Sequence, residues 1–141
     1  MTKNELMQIL PHRPPMLLLD SGKLVDGVSI CEYIIRGDEF FLQGHYPGNP
    51  IVPGVIQCEI MAQASCLLIE KNDTILNYTP YFTGMNNVKF KKKVIPGDCI
   101  IIKSELVRQK GMFYFVKSAG YINDELCCSA DISFALVSEG I

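Results

Sequence analysis

The sequence predicts an α+β fold in which a mostly antiparallel sheet wraps around one buried helix. Three observations carry that expectation. Residues 55–70 form the one strong helical segment, and only Gln57, Glu59, Gln63 and Ser65 interrupt its apolar character before Glu70. A helix that is apolar nearly all round belongs in an interior. The last third of the chain divides into four strand-length segments separated by turn residues, and two more strand candidates precede the helix. One helix with five or six strands is an α+β layering.

Thr2 and Glu5 have the spacing of a capping box, which starts a short helix carrying Leu6, Met7 and Leu10. Pro11 ends it, and Pro14-Pro15 is expected to keep the following chain extended. Residues 16–20 are expected to form a first strand, Asp26-Gly27 a turn and residues 28–35 a second strand. Residues 44–54 hold three prolines and three glycines, the composition of a structured loop. Pro53-Gly54 then launches the helix, and residues 72–80 read as loop.

Strands are expected over residues 85–92, 99–107, 112–122 and 126–137. Pro96-Gly97-Asp98 punctuates the first connection, while Gln109-Lys110-Gly111 and Asn123-Asp124 mark hairpins. In the last strand Ile132, Phe134 and Leu136 share one face, and Asp131 and Ser133 share the other. No repeat, low-complexity tract or linker interrupts the chain, so residues 1–141 are expected to form a single domain.

Composition narrows the function classes. A chain of 141 residues, 48% hydrophobic, can bury a core of its own. Its formal net charge of −2 argues against nucleic acid as a partner. The six cysteines form no CxxC pair and there are only two histidines, which leaves little for a metal site. Reduced core thiols are the expectation, since Cys58 and Cys66 fall in apolar sequence. Thr2-Lys3-Asn4-Glu5 does not begin a signal segment, and apolar runs such as residues 16–19 and 99–102 are too short to cross a bilayer. A cytoplasmic protein without membrane insertion is the expectation.

Glu59 is the most informative residue. It stands in the middle of the apolar helix, where an ionised carboxylate is costly unless paired. Gln63, four residues on, shares its face and can hold it by hydrogen bonding. Burial favours the protonated form of a carboxylic acid, the form that can donate a proton. The same pair also suits a purely structural bridge from helix to sheet.

His45 stands in the stiff loop Gly44-His45-Tyr46-Pro47-Gly48-Asn49-Pro50, which can present an imidazole as a general base. Such a histidine can equally serve only the loop's own backbone. Gly54 opens the helix, whose free N–H groups and positive dipole end suit a developing oxyanion, although Pro-Gly is also ordinary helix initiation. His12, between Pro11 and Arg13, is expected to have a structural or surface role. Lys89, Lys91, Lys92 and Lys93, with Arg108 and Lys110, either attract an acidic partner or are a solvated face.

The stretch from Phe40-Phe41-Leu42-Gln43-Gly44-His45-Tyr46-Pro47-Gly48-Asn49-Pro50 through Val52-Pro53-Gly54 to Gln57-Cys58-Glu59 and Gln63 resembles the signature of bacterial (3R)-hydroxyacyl-[acyl-carrier-protein] dehydratases. Leu10-Pro11-His12-Arg13-Pro14-Pro15 and Lys89-Phe90-Lys91-Lys92-Lys93-Val94-Ile95-Pro96-Gly97-Asp98 are similar to that family as well. The resemblance covers nearly the whole chain. It implies a hot-dog fold, a curled antiparallel sheet around one long central helix.

It also implies dehydration of a (3R)-hydroxyacyl-[acyl-carrier-protein] to the trans-2-enoyl product in type II fatty acid synthesis. His45 would take the α-proton, the Gly54 N–H would bind the thioester oxygen, and Glu59, oriented by Gln63, would protonate the departing hydroxyl. No metal or redox cofactor is implied, since the substrate rides on the phosphopantetheine of acyl carrier protein. Two subunits would build each site in a homodimer, with further assembly into a trimer of dimers. Tyr46 stands where phenylalanine is commoner, and Gln57-Cys58 replaces an aliphatic pair, which bears on the tunnel wall. Glutamate at 59, in place of aspartate, points away from the dehydratase/isomerase branch.

Overall fold

The computed structural model describes residues 1–69 and 78–138. The order of elements is α1 (Lys3–Leu6), β1 (Ser21–Val25), β2 (Val28–Ile34), α2 (Gly54–Ser65), β3 (Tyr78–Phe90), β4 (Cys99–Lys110), β5 (Phe113–Ile122) and β6 (Glu125–Ser138). A 3-10 turn over Phe40–Leu42 precedes α2, and another over Cys66–Leu68 extends it. All strand pairings are antiparallel, in the spatial order β1-β2-β4-β5-β6-β3. The sheet curls around α2, which packs on β2, β4, β5 and β6. This is the hot-dog arrangement, as the resemblance implies.

Local chemistry explains most boundaries. Thr2 and Glu5 form the full capping box at α1. Asp26 and Gly27 close β1–β2, and Asn123 and Asp124 close β5–β6, each pair with positive φ at both positions. That is the backbone of the two-residue hairpin turns that match strand twist. Ile95 and Asp98 fold the Pro96-Gly97 turn on itself through Asp98 N to Ile95 O and Ile95 N to Asp98 Oδ2.

Four expectations are corrected. Residues 16–20 form no strand; Asp20 N bonds Glu32 O of β2, but Leu18 N donates instead to the Gln63 side chain at 2.8 Å. The first strand starts instead at Ser21. Pro14-Pro15 does not keep the chain extended, because Met16 N and Leu17 N both donate to Arg13 O and turn it. The strand expected over residues 85–92 begins at Tyr78, and Pro80 lies inside it. Proline is tolerated there because β3 is an edge strand with a free side. β4 runs on to Lys110, so its hairpin turns at Gly111 and Met112. Glu70, the expected helix end, and residues 72–77 of the expected loop lie outside the described residues.

The core lies between α2 and the inner sheet face. Ile60, Met61, Gln63, Ala64 and Ser65 are wholly buried, against Ile100 and Ile102 of β4, Cys128 and Ile132 of β6, and Leu18 and Leu19. In β6 the inward row is Ile132, Phe134 and Leu136, as the alternation predicts. Most buried hydroxyls of the core have partners: Ser29 Oγ donates to Ala64 O at 2.8 Å, and Ser104 and Ser118 bond each other at 2.7 Å. A smaller cluster of Tyr114, Val116, Phe134 and Leu136 caps the end where α2 leaves the sheet. The six thiols are all unbridged.

Ile60→Ala, at the centre of α2, is expected to lower stability by about 2–5 kcal/mol through lost burial and a residual cavity. Leu24→Ala on the exposed end of β1 is expected to change it by no more than about 0.5 kcal/mol. Urea denaturation of the two variants, compared by midpoint at constant slope, checks both.

Candidate active site

Two regions carry the predicted residues. The first is the loop before α2. His45 N donates to Leu42 O, Ile51 N donates to His45 O, and Tyr46 and Asn49 exchange backbone bonds in both directions. Val52 N reaches Val94 O at 2.8 Å, and Gln57 Nε2 donates to Val52 O from inside α2. The loop is therefore tied to itself, to the β3–β4 connection and to the helix. His45 is half-buried, stacked on Tyr46 with ring centroids 4.2 Å apart. Its Nδ1 lies 2.9 Å from Ile51 O. A carbonyl only accepts, so Nδ1 carries the proton and Nε2 presents a lone pair. That is the tautomer of a general base.

The second region is the α2 face bearing Glu59. A cavity of about 340 Å³ lies between Glu59, Ala62, Gln63 and Cys66 on one side and Tyr81, Phe82 and Phe134 on the other. Gln63 Nε2 donates to Glu59 Oε2 at 2.9 Å and to Met16 O at 2.7 Å, while Gln63 Oε1 accepts from Leu18 N at 2.8 Å. The Glu–Gln pair predicted from helical spacing is therefore real, and it is anchored to the segment before β1. Glu59 keeps 23% side-chain exposure, toward the cavity. Cys66 faces the same space, and burial above all pushes its thiol up to about 12, so it is an inert wall.

Gly54 is the first residue of α2. Ile56 N and Gln57 N both donate to Pro53 O, while among the described residues no acceptor faces the N–H of Gly54 or Val55. A Cβ at residue 54 would come within 2.8 Å of the Phe90 ring. Glycine is thus needed there for close packing, and its N–H remains free for a ligand.

His45 is absent from the lining of the cavity that Glu59 lines. His12, expected to have a structural or surface role, is placed beside Glu59. It is half-buried, lines the cavity, and brings its Nε2 to 3.5 Å from Glu59 Oε2. The available signal was the proline-rich frame around it, which holds a side chain in place. Gln57 and Cys58, expected to shape the tunnel wall, are buried and absent from the cavity lining. Within the basic cluster, Lys92 pairs with Glu125 at 2.9 Å and Arg108 lies over the Phe115 ring at 4.4 Å. A larger depression of about 520 Å³ crosses β4–β6 between Lys103, Lys117 and Asp131, and His45, Gly54, Glu59 and Gln63 are absent from its lining.

Comparison with known proteins identifies the family. A family model described as ApeI-like, ApeI dehydratase, matches residues 26–130. The 3-hydroxyacyl-[acyl-carrier-protein] dehydratase FabZ of Caldicellulosiruptor saccharolyticus is 39% identical over 137 residues, covering 93% of this chain and 95% of the relative. Its namesake from Clostridium beijerinckii is 40% identical over 140 residues, with 94% and 96% covered. Among solved structures, the dehydratase heterocomplex ApeI:P from Xenorhabdus doucetiae matches with a TM-score of 0.79 at 19% identity, over 95% of this chain and 91% of that one. Fold and sequence together define a hot-dog dehydratase. Within that class, the chain belongs to the family of 3-hydroxyacyl-[acyl-carrier-protein] dehydratases.

Gln63→Leu is expected to orphan Leu18 N–H and Met16 O, at roughly 1–3 kcal/mol for each buried group. Gln63→Glu, which still accepts from Leu18 N but sets an oxygen against Met16 O and the Glu59 carboxyl, is expected to lose at least as much when unfolding is followed by circular dichroism at neutral pH. Equal stability of Gln63→Leu and wild type would show that the clamp contributes nothing.

Proposed function

We propose that this protein dehydrates (3R)-hydroxyacyl-[acyl-carrier-protein] to the trans-2-enoyl thioester in fatty acid elongation. The observation that carries the mechanism is the Glu59–Gln63 pair at the edge of a largely apolar cavity. His45 Nε2, its lone pair freed by the Nδ1 bond to Ile51 O, takes a proton from the α-carbon. The electron pair moves toward the thioester carbonyl, whose oxygen accepts the Gly54 N–H at the positive end of α2. It then forms the Cα–Cβ double bond as the Cβ–O bond breaks, and Glu59 protonates the departing hydroxyl to give water. Exchange with solvent returns the proton from His45 to Glu59.

The apolar wall of Ala62, Tyr81, Phe82 and Phe134 suits the acyl chain. The reading calls for no metal or redox group, because both proton transfers are made by side chains. Exposed Lys89, Lys91 and Lys93 suit an acidic carrier protein.

Completing the site requires a second copy. β3 is one of the two edge strands and exposes Tyr81, Phe82, Met85 and Phe90. A long apolar edge of this kind is a surface for pairing. In the homodimer we propose, His45 of one subunit meets Glu59 of the other, and dimers assemble further into a trimer of dimers. Six unbridged thiols fit a reducing compartment such as the cytoplasm.

His45→Ala and Glu59→Ala are each expected to lower kcat/KM on 3-hydroxybutyryl carrier protein by about 10²–10⁴-fold with the fold intact. Chromatography and mass spectrometry of the wild-type product should find only the trans-2 double bond. Near-wild-type turnover in either variant would remove that residue from the mechanism.

A further inference from the structure

The dehydration scheme uses one histidine, and the structure brings the other one to the acid. His12 Nε2 lies 3.5 Å from Oε2 of Glu59, the same oxygen that receives Gln63 Nε2 at 2.9 Å. The opposite ring nitrogen, Nδ1, is buried and has no hydrogen-bond partner among the described residues. The backbone around it is braced, because Arg13 Nη1 donates to Leu10 O and to His12 O, both at 2.8 Å. A surface histidine has no need of this framing.

We propose that His12 is a positioning residue for Glu59, directing its Nε2–H at Oε2 and so assigning the transferable proton to Oε1. The inference rests on the preceding reading, in which Glu59 is the acid. The orphaned Nδ1 selects the tautomer. A buried N–H without an acceptor is among the rarest and costliest defects in folded proteins, and a bare lone pair costs less. The proton therefore sits on Nε2, facing the carboxyl.

Two N–H donors aimed at one carboxyl oxygen make that oxygen the acceptor, because a proton placed on it would oppose both. Oε1 is left to carry the acidic proton. During dehydration this proton passes from Oε1 to the β-hydroxyl oxygen as the Cβ–O bond breaks and water forms. The negative charge left on the carboxylate then falls on a group whose donors are already in place. At 3.5 Å the His12 contact is longer than a formed N–H···O bond. Contacts of this kind tighten as the site closes on substrate and the acceptor becomes charged.

The test compares His12→Phe, which keeps the ring's bulk without a donor, with His12→Gln, which restores a terminal N–H donor. On 3-hydroxybutyryl carrier protein, His12→Phe is expected to lower kcat about tenfold or more, with KM within about twofold and Tm unchanged. His12→Gln is expected to recover most of the loss. Wild-type kcat in His12→Phe would overturn the proposal, as would a loss that comes with a lower Tm and is not rescued by glutamine. A second measurement needs no turnover: nitrogen-15 spectra of histidine-labelled protein should show His12 protonated on Nε2, with that resonance moved by Glu59→Gln. A proton on Nδ1, or no response to Glu59→Gln, would overturn the contact. A wild type that keeps the expected spectra but turns over no hydroxyacyl substrate would refute the functional reading while leaving the contact itself in place.

Discussion

The carboxamide of Gln63 is the interaction on which the arrangement of this protein depends. It is wholly buried in the last turn of α2 and is bonded at both ends. Its oxygen takes up the N–H of Leu18, and its nitrogen is shared between Met16 O and the Glu59 carboxyl. Three problems are solved by one side chain. The segment before β1 would otherwise bury backbone groups with no strand to pair with. The helix would lose its hydrogen bonds to that segment, and Glu59 would be left with the longer 3.5 Å contact to His12. An apolar residue in its place would fill the same volume and make none of these hydrogen bonds.

Around that clamp the remaining polar groups of α2 follow the same logic. Ser29 of β2 bonds Ala64 O, Ser65 bonds Met61 O, and Gln57 reaches Val52 O in the His45 loop. The helix is thus fixed at its start to the loop that carries the base, and in its third turn to the segment that carries His12. The chemistry-bearing residues sit on different pieces of chain, and α2 is the piece they share. Rigid placement on a buried element is what allows side chains to act as acid and base without reorganisation.

Much of this was legible in the sequence, and the failures have physical causes. The helix, the hairpin turns at Asp26-Gly27 and Asn123-Asp124, and the facing of Ile132, Phe134 and Leu136 follow from periodicity and turn chemistry, which act locally. The pairing of Glu59 with Gln63 follows from helical spacing alone. The start of β3 was hidden because Pro80 reads as a breaker, and only knowledge that β3 is an edge removes the objection. Residues 16–20 have the composition of a strand, yet Gln63, 45 residues beyond Leu18, takes the hydrogen bond a neighbouring strand would have made. The contact of His12 was hidden for the same reason. Its partner, Glu59, is remote in sequence, and spacing says nothing about contacts across that distance.

The central claim is that the reaction centre combines His45 and Glu59 from two copies of the chain, since in a single copy His45 is absent from the lining of the Glu59 cavity. Co-expression of His45→Ala and Glu59→Ala chains tests it directly, with turnover of a hydroxyacyl carrier protein compared against each variant alone. A mixed dimer contains one site with both residues intact and one with neither. The account predicts that two inactive parents yield a mixture with about a quarter of wild-type turnover, given random pairing across a two-fold interface. A mixture as inactive as its parents, with mixed dimers confirmed by mass spectrometry, would contradict it.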